Sequence, residues 1–194
     1  MIDEILRSLG WMGDGRLLLP LSAGLALALE RRGASLVARR WLRVLVLGPL
    51  AMALIKTAGY ALGLGSPSGH AFFAALFYGM LARLAQRWPA GWPRGFALAA
   101  LGGLIVVVAA NRLVTGVHTP GEVGLGLALG LGCLALLPGD CGTGAGGPSR
   151  RQSAACWSAV SLMLAAILGA ELMDTNAETV LAALGTRLAG LLAG

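Results

Sequence analysis

The sequence predicts an all-α fold: a polytopic membrane helical bundle of six transmembrane helices, forming one domain over residues 1–194 with its core at 15–172. Three observations predict it. Hydrophobic residues fill 57% of the 194 positions and charged residues 12%, against about 25% charged in soluble domains. Apolar runs recur along the chain, separated by short stretches rich in arginine or in glycine and proline. Glycine, at 30 residues, has the abundance expected of closely packed membrane helices, and mean hydropathy is +0.77.

Residues 1–15 are mildly amphipathic through Ile2, Ile5, Leu6 and Leu9, which suits an interfacial segment. Asp3, Glu4 and Asp14 fit poorly with the basic start of a cleavable signal. The first span starts near Gly15 and closes at Glu30-Arg31-Arg32. Arg31, Arg32, Arg39, Arg40 and Arg43 read as a basic loop before the second span, Val44–Leu64, which is interrupted only by Lys56. Turn residues over Gly63–Gly69 lead into a third span from about His70 to Ala85. Arg83, Arg87 and Arg94 surround Trp88–Pro93, whose tryptophans suit an interface. The fourth span is Phe96–Ala110, extending towards Val114, the fifth Val123–Leu137 and the sixth Ala154–Leu172. Residues 173–194 form a C-terminal interfacial or laterally packed helix.

The net charge of +6 does not point to nucleic acid, because the arginines cluster between apolar runs rather than along one polar face. Cys133, Cys141 and Cys156 lack paired metal-ligand spacing, so no metal is expected. With six spans the three basic clusters, near 31–43, 83–94 and Arg150-Arg151, fall on the cytoplasmic side. The stretches at 65–70 and 112–122 then share the opposite, periplasmic or extracellular side of the inner (plasma) membrane.

Those two stretches hold both of the chain's histidines. Polar and ionisable groups beside apolar spans are costly unless they have a function. In the first, Ser68 suits an N-cap and Pro67 a helix start, and Gly69 lets an oxyanion approach the backbone amides. His70 would then sit in the first turn, able to protonate a leaving oxygen. In the second, Thr119-Pro120-Gly121-Glu122 has the form of a capping box. Glu122 alternatively pairs with His118, fixing its tautomer and leaving the other nitrogen to attack phosphorus. Arg112 offers paired donors for phosphate, or snorkels to the interface.

Pro67-Ser68-Gly69-His70, and Arg112 followed by five residues, His118, three residues and Glu122, give the chain a resemblance to a known family. It resembles the membrane-bound type 2 phosphatidic acid phosphatases, the PAP2 group, related by fold to vanadium-dependent haloperoxidases. The resemblance covers about residues 15–172. It implies that His118 is the nucleophile, His70 the general acid and Glu122 the residue that orients His118. It implies phosphate binding by Arg112, Ser68 and the Gly69 amide. The implied activity is a metal-independent, cofactor-free lipid phosphatase. A lipid phosphomonoester or diphosphate, such as undecaprenyl diphosphate, phosphatidic acid or phosphatidylglycerol phosphate, would be hydrolysed through a phosphohistidine. Membrane lipids are the implied partners. Transfer of the phosphoryl group to a lipid, or a non-catalytic protein of the same fold, are the alternatives.

Three positions depart from the family pattern. Asn111 stands for a serine, where it still offers a hydrogen-bond donor, and Glu122 stands for an aspartate. The first motif, a lysine six residues before Arg-Pro, is missing. Lys56, the chain's one lysine, is separated from Pro67 by ten residues with no Arg-Pro among them, and is the remaining candidate for phosphate binding from that side.

Overall fold

The computed structural model describes residues 9–137 and 177–193. All regular structure among them is helical: α1 (Gly15–Arg31), α2 (Ser35–Ala61), α3 (Gly69–Ala85), α4 (Trp92–Val114), α5 (Pro120–Ala135) and α6 (Ala177–Ala193), with a further helical stretch at 9–11. The described residues divide into two compact units. One holds 9–18 and 67–136, the other 19–66 with 137 and 177–193.

In the first unit α3 is the central element, with α4 and α5 both packed on it. Its sequence explains this position. Ala71, Phe72, Ala74, Ala75, Leu76, Phe77, Tyr78 and Met80 are all buried, so the helix is apolar on nearly every side. On α5, Gly126 and Gly130 lie four residues apart and hence on one face. A methyl group at Gly126 would strike the Ser68 carbonyl, and one at Gly130 the Phe72 carbonyl and the Ala75 side chain. The two glycines therefore set how closely α5 approaches the start of α3. At the other end of the pair, the Arg83 guanidinium donates to the Leu134 carbonyl in the last turn of α5.

In the second unit, the Trp41 indole of α2 donates to the Ser22 carbonyl of α1 at 3.0 Å. The start of α2 corrects one expectation. Arg39, Arg40 and Arg43 belong to the helix rather than to a basic loop. Val37, Ala38, Trp41, Leu42 and Leu45 recur at helical spacing and are buried, which draws the arginine cluster into helix. The far end closes at Gly63, whose φ of +66° suits a residue without Cβ, with Leu64 N–H donating to Gly59 C=O at 2.9 Å. Helix α6 packs along α2, where Gly185 lies against Tyr60 and the Thr57 carbonyl.

The predicted six transmembrane helices are not what the structure shows. Among the described residues, two helices are long and apolar enough to cross a membrane: α2, with 27 residues, and α4, with 23. Helices α3 and α5 have 17 and 16 residues. At 1.5 Å per residue they fall short of a hydrocarbon core of about 30 Å. The apolar runs themselves, about 70–85 and 123–137, are this short, and the caps at Ser68 and Thr119 fix where the two helices start. Helix α1 has 17 residues. The expected span at 154–172 lies outside the described residues. Of the two long helices, α4 has only 11% of its most apolar window buried, so its apolar side chains face outward as lipid contact requires. The two candidate spans support an association with membrane.

Candidate active site

The site residues of the first unit are set by two helix starts and one helix end. Ser68 is the N-cap of α3 and has no exposed surface. Its hydroxyl oxygen accepts from Ala71 N–H at 3.4 Å and its carbonyl from Phe72 N–H at 3.1 Å. Gly69 and His70 are then the first two residues of the helix, where amide groups lack carbonyl partners one turn back. A methyl group at Gly69 would meet nothing within 4 Å, so this face of the helix start is open. An anion at such a position gains both amide donors and the positive end of the helix dipole.

The second patch begins at the end of α4. Asn111 is buried and its side-chain oxygen accepts from Arg112 Nη2 at 2.6 Å and Nε at 3.2 Å. The Asn111 oxygen thus acts as an acceptor that restrains the guanidinium. The Arg112 carbonyl accepts from His118 N–H at 3.4 Å, which closes the five intervening residues into a loop.

At α5 the expected capping box is formed in full. Thr119 Oγ1 accepts from Glu122 N–H at 3.3 Å, and Glu122 Oε2 accepts from Thr119 N–H at 2.8 Å and from the Thr119 hydroxyl at 3.2 Å. The same Oε2 lies 3.4 Å from His118 Nδ1. The cap and the histidine therefore share one carboxylate oxygen. The contact to the imidazole is longer than an ordinary hydrogen bond of about 2.7–3.2 Å, while the Thr119 amide holds the same oxygen at 2.8 Å. The His118 side chain is 8% exposed and that of Glu122 20%, so water weakens this pairing only in part. With Nδ1 turned to Glu122, Nε2 is the nitrogen on the far side of the ring from the carboxylate.

A single main-chain bond joins the two patches. Ser68 N–H donates to the Glu122 carbonyl at 3.0 Å. The residue that caps α3 is thus tied to the residue that pairs with His118. Ser68, Gly69, His70, Arg112, His118 and Glu122 all belong to the first unit. Lys56 belongs to the second, where its ammonium pairs with Glu178 at 2.6 Å. Tyr60 donates to the same carboxylate oxygen at 3.1 Å and accepts from Ser66 at 3.2 Å.

Asp14, which the sequence offers only as an acidic residue unsuited to a signal, also lies near the site. It precedes α1, and its carboxylate accepts from Arg16 N–H at 2.8 Å, as an N-cap does. It also receives Arg16 Nε at 3.0 Å and Nη2 at 2.6 Å. Burial pushes this carboxyl up. The bonds from Arg16, with the charges of Arg16 and His70, more than offset that and leave it below the ordinary carboxylate value. An aspartate directly before a leucine-rich run is a start signal that the sequence does carry. Among the described residues no group of three or more His, Cys, Asp or Glu side chains is arranged to hold a metal ion.

The family model of the PAP2 superfamily matches residues 43–139, half of the chain and all of both patches. The chain belongs to the PAP2 superfamily. No curated protein and no solved structure matches it. Membership carries phosphatase-like hydrolase chemistry on lipid-related substrates as its general function.

Proposed function

We propose that the protein is a metal-independent lipid phosphatase that works through a phosphohistidine at His118. The observation that carries this reading is the shared carboxylate. Glu122 faces His118 Nδ1 at 3.4 Å, which favours the proton on Nδ1 and the lone pair on Nε2. In the first step Nε2 attacks phosphorus, the bond from phosphorus to the leaving oxygen breaks, and His70 passes its proton to that oxygen. In the second step a water attacks the phosphohistidine and gives a proton to His70. The bond from phosphorus to Nε2 breaks and inorganic phosphate leaves. The Arg112 guanidinium and the Gly69 amide hold the phosphoryl oxygens. Ser68 acts from beneath, fixing the helix start that presents that amide.

The reading extends to location. Each candidate span begins in arginine-rich sequence, Arg39 to Arg43 for α2 and Arg87 to Arg94 for α4. By the positive-inside rule those ends are cytoplasmic. The ends that lead to the two histidines then lie at the outer, periplasmic or extracellular face of the plasma membrane. A lipid phosphate in that leaflet would reach the site from the side.

The test is phosphate release by the purified full chain from phosphatidic acid, a polyprenyl diphosphate and phosphatidylglycerol phosphate. Turnover is expected in excess chelator, and His118→Ala should lower it by about 10³-fold or more. Wild-type turnover in His118→Ala, or loss of activity on chelation, would sink the mechanism.

A further inference from the structure

The segment just before α1 bears on the site, though nothing in the phosphatase chemistry above uses it. Residues 10–16 read Gly-Trp-Met-Gly-Asp-Gly-Arg. Gly13 N–H donates to Gly10 C=O at 3.0 Å and Asp14 N–H to Trp11 C=O at 3.1 Å, which folds the segment into successive turns. The Tyr78 hydroxyl of α3 fastens it by donating to the Met12 carbonyl at 2.8 Å.

The glycines bring this turn against the candidate site residues. A Cβ at Gly10 would lie 2.6 Å from Arg112 Nη2. One at Gly13 would lie 3.0 Å from the His70 carbonyl and 3.1 Å from His70 Cβ. Asp14 follows Gly13 directly, and its carboxylate lies within Coulombic reach of both the His70 imidazole and the Arg112 guanidinium. Its side chain is only 10% exposed, so water screens that field weakly. The clamp from Arg16 leaves the carboxylate little freedom to rotate, and Arg16 itself sits 5.4 Å from the Trp11 ring centre.

We propose that Asp14 is a positioning residue of the phosphate site, its fixed carboxylate holding the Arg112 guanidinium and the protonated His70 imidazole in their working orientations. The proposal rests on the phosphohistidine reading of the site. A plain N-cap needs one acceptor oxygen and no charge, and serine or asparagine would serve as well. A carboxylate here adds a buried negative charge within Coulombic reach of both cations that the reaction needs. The charge of Arg16 balances it, so the incoming phosphate does not meet a net negative wall.

Asp14→Asn separates the two roles, because asparagine caps a helix as well as aspartate does but carries no charge. In the purified full chain acting on phosphatidic acid in detergent micelles, kcat should fall about tenfold to a hundredfold, the range usual for groups that orient a functional residue. KM should change less than about threefold and the melting temperature should stay within a few degrees. Unchanged kcat in a folded Asp14→Asn protein overturns the proposal and assigns Asp14 to capping alone. If that variant does not accumulate as folded protein, Arg16→Gln replaces it: this keeps the charge but frees the carboxylate. A fall in kcat at constant KM then supports the proposal, and unchanged kcat overturns it. His118→Ala is measured in parallel. If it turns over like wild type, the underlying mechanism fails whatever Asp14 does. If it is inactive while Asp14→Asn keeps full kcat, only the positioning role is lost.

Discussion

Helices α3 and α5 both start at a capped turn beside a histidine, yet the two starts are built differently. At α3 the cap is a buried serine and His70 follows it inside the first turn. At α5 the cap is an exposed reciprocal box and His118 precedes it. The first start is fixed by packing, since Gly126 lets α5 close over the Ser68 carbonyl. The second is fixed by polar bonds, with one oxygen of Glu122 serving both the helix and the imidazole. A start held by packing presents its amides at a constant place. A start held by a shared carboxylate makes the histidine's orientation depend on the integrity of the helix end.

Substitutions at Glu122 should show that dependence most strongly. Glu122→Ala removes cap and orienting group together, and kcat should fall about a hundredfold with a loss of about 1 kcal/mol in stability. Phosphate release and denaturant unfolding, run on the same preparation, read the two effects. Glu122→Gln separates them, because glutamine also closes a capping box. Its stability should match wild type within about 0.5 kcal/mol while kcat drops about tenfold. Equal stability losses in the two variants would show that the glutamine amide does not close the box and that the box needs the carboxylate.

Ser68→Ala should behave in the opposite way. About 1 kcal/mol of stability should go with the cap, since Ala71 N–H loses its acceptor, and kcat should fall less than in Glu122→Gln. A larger kinetic than stability effect would mean that the serine hydroxyl itself contacts phosphate.

The smallest expected effect is at a third helix start, that of α1. The Asp14 carboxyl is held below its ordinary value of 3.8, so the folded state binds its proton less readily than the unfolded state. Its contribution to stability is therefore full above about pH 4–5 and is lost as pH falls through the lowered folded value. Melting curves of wild type and Asp14→Asn should differ by a constant amount at neutral pH and converge in acid. Curves that stay parallel down to about pH 2–3 would contradict the depressed value.

Much of the site was legible because capping is local chemistry. Ser68 and Thr119-Pro120-Gly121-Glu122 announce helix starts by residue type alone, and both starts are where the sequence puts them. The spacing from Arg112 to His118 to Glu122 was likewise readable, and the structure gives it physical content in the bonds at 3.4 Å. The number of spans was not legible. Hydropathy counts apolar residues and not the length a crossing needs, so α3 and α5 read as crossings although they have only 17 and 16 residues. The arginines of α2 misled for a related reason, since their charge masked the apolar periodicity of Val37, Trp41 and Leu45. The pairing of Lys56 was not legible in the sequence, because Glu178 lies 122 positions further along the chain. Asp14 carried a local signal, but its nearness to His70 and Arg112 depends on how the Gly10–Arg16 turn folds back onto α3 and α4.

The bond from His118 N–H to the Arg112 carbonyl has one more consequence. It turns the five residues between them into a ring of fixed circumference, with Gly116 at φ +66° as its one left-handed corner. Thr115 adds a hydroxyl that donates to the Asn111 carbonyl at 2.7 Å; the identity of Leu113, Val114 and Val117 matters less to such a ring than their number. An added or deleted residue would rotate His118 off Glu122 and detach it from the end of α4 in the same stroke. The interval between the arginine and the histidine is therefore a mechanical dimension of the protein, open to change in composition at Leu113, Val114 and Val117 and closed to change in length.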